Sequence, residues 1–61
     1  MANSKFNAGD KVAIVGEKGV FTIGEAIGFS NRLNAYTYIV RFESGSCIRN
    51  FPEYNIIGLV A

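Results

Sequence analysis

The stretch Tyr36–Glu43, YTYIVRFE, decides the fold. Tyr36, Tyr38, Val40 and Phe42 fall on one side, and Thr37, Ile39, Arg41 and Glu43 on the other. That period of two is what a half-buried antiparallel strand requires. Ser44-Gly45 follows at once and reads as a tight hairpin turn, with Ser46–Phe51 as the returning strand. Pro52 lacks a backbone donor and cannot continue a ladder. Residues Pro52–Asn55 (PEYN) therefore read as a short 3₁₀ turn, and Ile56–Val60 (IIGLV) as a last strand.

Toward the N-terminus, Val20–Phe29 (VFTIGEAIGF) places Phe21, Ile23, Ile27 and Phe29 on one face, with Glu25 interrupting them. Gly24 and Gly28 lie on the opposite face. Glycine inside a strand marks a bend or bulge, so this is one long curved strand. Ser30–Ala35 is a polar loop, Gly16–Gly19 a turn, and Lys11–Val15 (KVAIV) the first strand. Residues 1–8 read as an N-terminal tail and 9–61 as a single domain. No stretch sustains a helical period. The expectation is an all-β fold whose five short strands bend into a sheet that closes on itself, because closure hides apolar edges. Its expected core is Val12, Ile14, Phe21, Ile23, Tyr38, Val40, Phe42 and Ile56.

Composition bounds the function. The chain has 61 residues, 49% hydrophobic and 18% charged, against a usual charged share of about 25%. A domain this short has much surface for its core, so such an apolar sequence points to oligomerisation or a bound partner. A single cysteine and no histidine exclude an internal disulfide and predict no metal site and no cofactor. The net charge is +1, and the six basic residues are scattered, without the clustered surplus of most nucleic-acid binders. The opening MANSKFNAGD has no apolar stretch after a basic start, which predicts no signal peptide. No apolar run approaches the roughly 20 residues of a membrane span. A lone thiol fits a reducing, cytoplasmic compartment, and the start at Met1 reads as a complete short product.

Three motifs resemble SH3-like barrels and together cover most of residues 6–60. Phe6-Asn7-Ala8-Gly9-Asp10-Lys11-Val12 is similar to the Gly-Asp-x-Val opening of KOW-type and other SH3-like barrels. The Ser44-Gly45 hairpin resembles the distal hairpin of that fold. Phe51-Pro52-Glu53-Tyr54-Asn55-Ile56 resembles its closing strand, 3₁₀ turn and last strand. The resemblance implies a small five-stranded SH3-like barrel with the 3₁₀ turn before the last strand. It does not carry function. The chain has no tryptophan and no acidic loop to match the proline-peptide groove of eukaryotic-type SH3 domains. The layout also resembles the plasmid-borne type II dihydrofolate reductases. Their Gln-Ile-Tyr run is absent from Ser46–Phe51 (SCIRNF), so their chemistry is not implied.

Candidate sites follow from these placements. Cys47 has no histidine to form its thiolate and reads as a structural, half-buried thiol. Glu25 lies between Ile23 and Ile27, and the Gly24 bend is expected to turn it to water. The distal hairpin allows two registers. A two-residue turn sets Val40 opposite Arg49 and puts Cys47, Arg49 and Phe51 on the aromatic face. A bulge at Gly45 slips the pairing by one, which exchanges the faces. Ile48 then joins the aromatic side, while Arg49 joins Ile39 and Arg41 outside. The bulged register is preferred because it keeps Arg49 away from Val40, although it turns Phe51 outward unless a further bulge intervenes. Ile39, Arg41, Arg49 and Phe51 then form a candidate interaction surface, with Ile57 or Val60 also facing out. Patches of this kind mark interfaces. The leading expectation is a non-enzymatic protein-interaction module that self-associates, with a dimer favoured, or docks on a larger assembly. The alternative is a KOW-type nucleic-acid-binding barrel using Lys11, Arg32, Tyr36 and Tyr54.

Overall fold

The structure, a computed structural model, describes residues 4–60. Residues 1–3 of the expected tail, and residue 61 at the end of the expected domain, lie outside the described residues. Five strands form one antiparallel sheet: β1 Lys11–Ile14, β2 Phe21–Ser30, β3 Ala35–Arg41, β4 Cys47–Pro52 and β5 Ile56–Leu59. A single 3₁₀ turn, η1 Glu53–Asn55, precedes β5. The all-β architecture and the turn before the last strand are as the sequence predicts. The strand order is β4-β3-β2-β1-β5. No ladder joins β4 to β5, so the expected closure of the sheet does not occur, and two edges remain. No helix among the described residues is long and apolar enough to cross a membrane.

β2 supplies the bend. Its start pairs with β1, Lys11 opposite Thr22 and Val12 opposite Phe21, and its whole length pairs with β3. The β2–β3 register shifts between Ile23 and Glu25 and again between Ala26 and Gly28. Each shift adds a residue to one strand, which kinks it and raises its twist. Gly28 sits at φ 142, a conformation that only glycine adopts without strain. The regular alternation expected across Val20–Phe29 is therefore split. Phe21 and Ile23 lie in the core, whereas Ile27 and Phe29 are exposed and Glu25 points to water.

The distal hairpin takes the bulged register. Phe42 N–H donates to Ser46 O at 2.7 Å and Gly45 N–H to Phe42 O at 2.9 Å, with Gly45 at φ 96. This is a three-residue connection whose last residue is left-handed. Val40 faces Ile48 and Arg41 faces Cys47. A second shift lies between Tyr38 and Val40, after which Tyr38 faces Phe51. Asn50, at φ 57, is the residue that accommodates it. Asparagine tolerates that region better than most side chains do.

The core holds Phe6, Val12, Ile14, Phe21, Ile23, Tyr38, Val40 and Ile56, with Tyr36, Phe42 and Phe51 packed against it. Seven of the eight expected core residues are buried, and Phe42 is partly buried. Phe6 corrects the expected tail. Its ring meets the Tyr38 ring edge-on, centroids 5.7 Å apart at 67°, and only 6% of it is exposed. A β-turn leads from it into β1: Asp10 N–H donates to Asn7 O at 3.0 Å, and Asn7 N–H donates to Asp10 Oδ2 at 2.8 Å.

Candidate functional site: an apolar groove beside the free edge of β5

The expected β3–β4 surface is incomplete. Arg41 and Arg49 are exposed. Arg41, however, pairs with Cys47, and Arg49 lies within the bulged stretch. Ile39 is half-buried and lies so close to Gly24 that a Cβ there would sit 3.4 Å from Ile39 Cγ2. The larger correction is Phe51. Because the second bulge returns it to the Tyr38 side, it packs on the core rather than outward. Without Phe51 the patch loses its main apolar group.

Four of the eight large apolar side chains exposed among the described residues gather elsewhere. Phe29 at the end of β2, Tyr54 in η1, and Ile57 and Leu59 in β5 are 53%, 60%, 67% and 65% exposed. All four line one open groove of about 760 Å³. Tyr36 adds a ring, set edge-on to Phe29 at 5.3 Å and 80°. The β2–β3 turn that carries these rings is tightened by Ser30 Oγ, which accepts from Leu33 N–H at 3.2 Å. Phe6 and Ile56 connect the groove to the core, and Lys5 and Glu53 are its charged members.

A hydrogen-bond cluster around the buried Tyr38 fastens this end of the molecule. Tyr38, fully buried, donates its hydroxyl hydrogen to Glu53 Oε2 at 2.5 Å. The same hydroxyl oxygen accepts from Lys5 N–H at 3.1 Å and Phe6 N–H at 3.3 Å. Lys5 N–H also donates to Glu53 Oε2 at 3.0 Å. Burial pushes the Tyr38 phenol above its ordinary range, and the hydrogen bond to Glu53 pushes the same way. The backbone N–H groups of Phe6 and Lys5 oppose these effects and are weaker. One phenol thus ties the N-terminal segment, β3 and η1 together.

The residues expected for nucleic acid are divided. Tyr36 and Tyr54 both line the groove, but Lys11 and Arg32 are not among its lining residues. Lys11 begins β1 and Arg32 lies in the β2–β3 turn, both exposed. Cys47 is exposed rather than half-buried, because it sits at the start of β4 beside the distal turn, where its Sγ lies 4.0 Å from Gly45 O. Sequence reasoning missed the groove as a unit. Its aromatics come from three separated segments, and no local pattern links Phe29 to Tyr54 or Leu59. The signal that was available is IIGLV, apolar on both sides. Compared with known proteins, the chain matches no family model, no curated protein and no solved structure.

Proposed function

We propose that this protein is a non-enzymatic protein-interaction module that self-associates through the face carrying the groove and β5. The observation that carries the reading is the gathering of Phe29, Tyr54, Ile57 and Leu59 around one groove. An exposed apolar surface costs hydration free energy on a monomer, and contiguous patches of this kind mark contact surfaces. Removing it from water also supports a domain whose own core is small. The SH3-like reading has support in the strand order β4-β3-β2-β1-β5 and the 3₁₀ turn before β5.

The non-enzymatic reading rests on the side chains available. The chain has no histidine to activate its one thiol, and Glu53, the carboxylate at the groove, is engaged by Tyr38. The nucleic-acid alternative has less support. The groove's charged members, Lys5 and Glu53, are of opposite sign, whereas phosphate recognition needs a cationic surplus.

Sedimentation equilibrium tests the proposal. The wild type is expected to show a mass that rises with concentration to a multiple of 6.6 kDa. Leu59→Lys puts a charge on the exposed apolar strand and is expected to hold the chain at the monomer mass, with its β-type circular dichroism unchanged. A wild type that stays monomeric throughout the accessible concentration range rejects the reading.

A further inference from the structure

The two edges of the sheet are not equivalent. β4 is closed to further pairing. Its sequence carries the exposed Arg49, a bulge accommodated by Asn50, and Pro52 at its end. Charge, bulge and proline are the devices by which natural sheets block edge-to-edge addition. β5 has neither charge nor proline, although its ladder to β1 carries a register shift that leaves Ile57 as an extra residue. Its strand and the residue after it read Ile56-Ile57-Gly58-Leu59-Val60, without a charge or a proline. In the sheet it pairs with β1 alone. Val60 N–H donates to Lys11 O at 2.8 Å. Backbone groups alternate in direction along a strand, so those of Leu59, one residue earlier, turn to the open edge.

We infer that β5 is the seam of a two-fold dimer, in which it pairs antiparallel with β5 of a second copy of this chain about an axis at Gly58. The inference rests on the self-association proposed above and specifies its geometry. Three observations point to a second copy as the occupant. The strand reads nearly the same in both directions around Gly58: Ile57 answers Leu59, and Ile56 answers Val60. An antiparallel pairing on that centre therefore sets Ile57 against Leu59 on both sides of the Gly58 axis. It also brings the outward Leu59 N–H of each copy to the Ile57 carbonyl of the other. Ile57 and Leu59 line the groove, so each copy lays these two side chains beside the other's groove residues. A Cβ built on Gly58 meets nothing within 4 Å, so the axis position is uncrowded.

The blocked β4 edge decides the size of the assembly. A molecule with two open edges adds copies without limit and forms a fibre. A molecule with one open edge, paired to its own kind by a two-fold axis, has no edge left, and the contact closes at a dimer. The pair would form one continuous sheet of about ten strands, near the upper end of the usual range.

The test is a register-specific cross-link. Residues facing each other across a two-fold antiparallel seam in a non-hydrogen-bonded pair have Cα atoms about 4.5 Å apart, within disulfide range. Gly58→Cys in a Cys47→Ser background, oxidised by glutathione disulfide, is expected to form a covalent dimer at least about tenfold faster than Val15→Cys in the same background, because pairing raises the effective thiol concentration. Val15 is exposed but outside the strands, so it reports random collision. Leu59→Pro is the second arm. It removes the outward N–H, leaves the Val60–Lys11 bond in place, and is expected to be monomeric with its β spectrum kept. Equal cross-linking rates at positions 58 and 15, or a Leu59→Pro chain that still dimerises, overturn the β5 seam. If the wild type is a dimer in that case, self-association stands and only the seam falls. A monomeric wild type overturns both.

Discussion

Tyr38→Phe is expected to lower stability by about 2 kcal/mol, in the range for losing a hydrogen bond to a charged group. The substitution keeps the ring, so the core packing changes little. It removes the hydroxyl that donates to Glu53 and accepts from Lys5 and Phe6. For a domain of this size the loss corresponds to a midpoint drop of roughly 8–16 °C. Tyr38→Ala, which also leaves a cavity, is expected to cost about 3–5 kcal/mol, enough to unfold a chain with so small a core. Urea unfolding monitored by circular dichroism measures both.

Alkaline pH separates the phenol from the ring. The folded protein holds the Tyr38 proton more tightly than the unfolded chain, whose phenol has the ordinary value of 10.0. Above that value the unfolded state has released a proton that the folded state keeps, so stability falls as pH rises. The contribution is fully present below 10.0 and is lost as pH climbs through the raised folded value. Tyr38→Phe lacks it. The stability gap between wild type and Tyr38→Phe is therefore expected to narrow above about pH 10. A gap that stays constant into strong alkali contradicts the role given to this hydroxyl.

Phe6→Ala is expected to cost about 3–4 kcal/mol, as for other buried phenylalanines. Phe6 is buried against Tyr38, and its backbone N–H is held by the Tyr38 hydroxyl. Removing the segment through Phe6 is expected to do at least as much damage, since it also strips two donors from Tyr38. A loss below about 0.5 kcal/mol, the scale of an ordinary surface change, would return residues 1–8 to the status of a tail.

Phe6 also shows where the sequence stops being legible. Strand β3 was readable because eight consecutive residues, Tyr36–Glu43, alternate, and burial on one face leaves a period of two. Phe6 is one aromatic in a polar stretch, with no neighbour to share a period. Its burial is created by Tyr38, more than thirty positions away. The bulged distal register was legible from Gly45 and from the clash of Arg49 with Val40. The second bulge was not, because Asn50 marks a left-handed position only weakly, and that bulge decides whether Phe51 faces core or solvent. The chosen β3–β4 surface depended on Phe51 facing out. Closure failed for a related reason: local pattern shows that strands exist and bend, but whether the two ends meet depends on the summed twist of every bulge. The apolar character of IIGLV was visible from the start, and only the strand order shows that it lies at an edge.

Amide hydrogen exchange at Leu59 tests the β5 seam most directly, because it reads one backbone group. In a monomer this N–H faces the open edge and exchanges near the rate of an unprotected amide. In the β5-paired dimer it is bonded to Ile57 of the second copy. The account predicts that Leu59 exchange slows as protein concentration rises and recovers on dilution, while Val60, bonded to Lys11 O, stays protected throughout. A Leu59 amide that exchanges freely at concentrations where the protein is dimeric would contradict it.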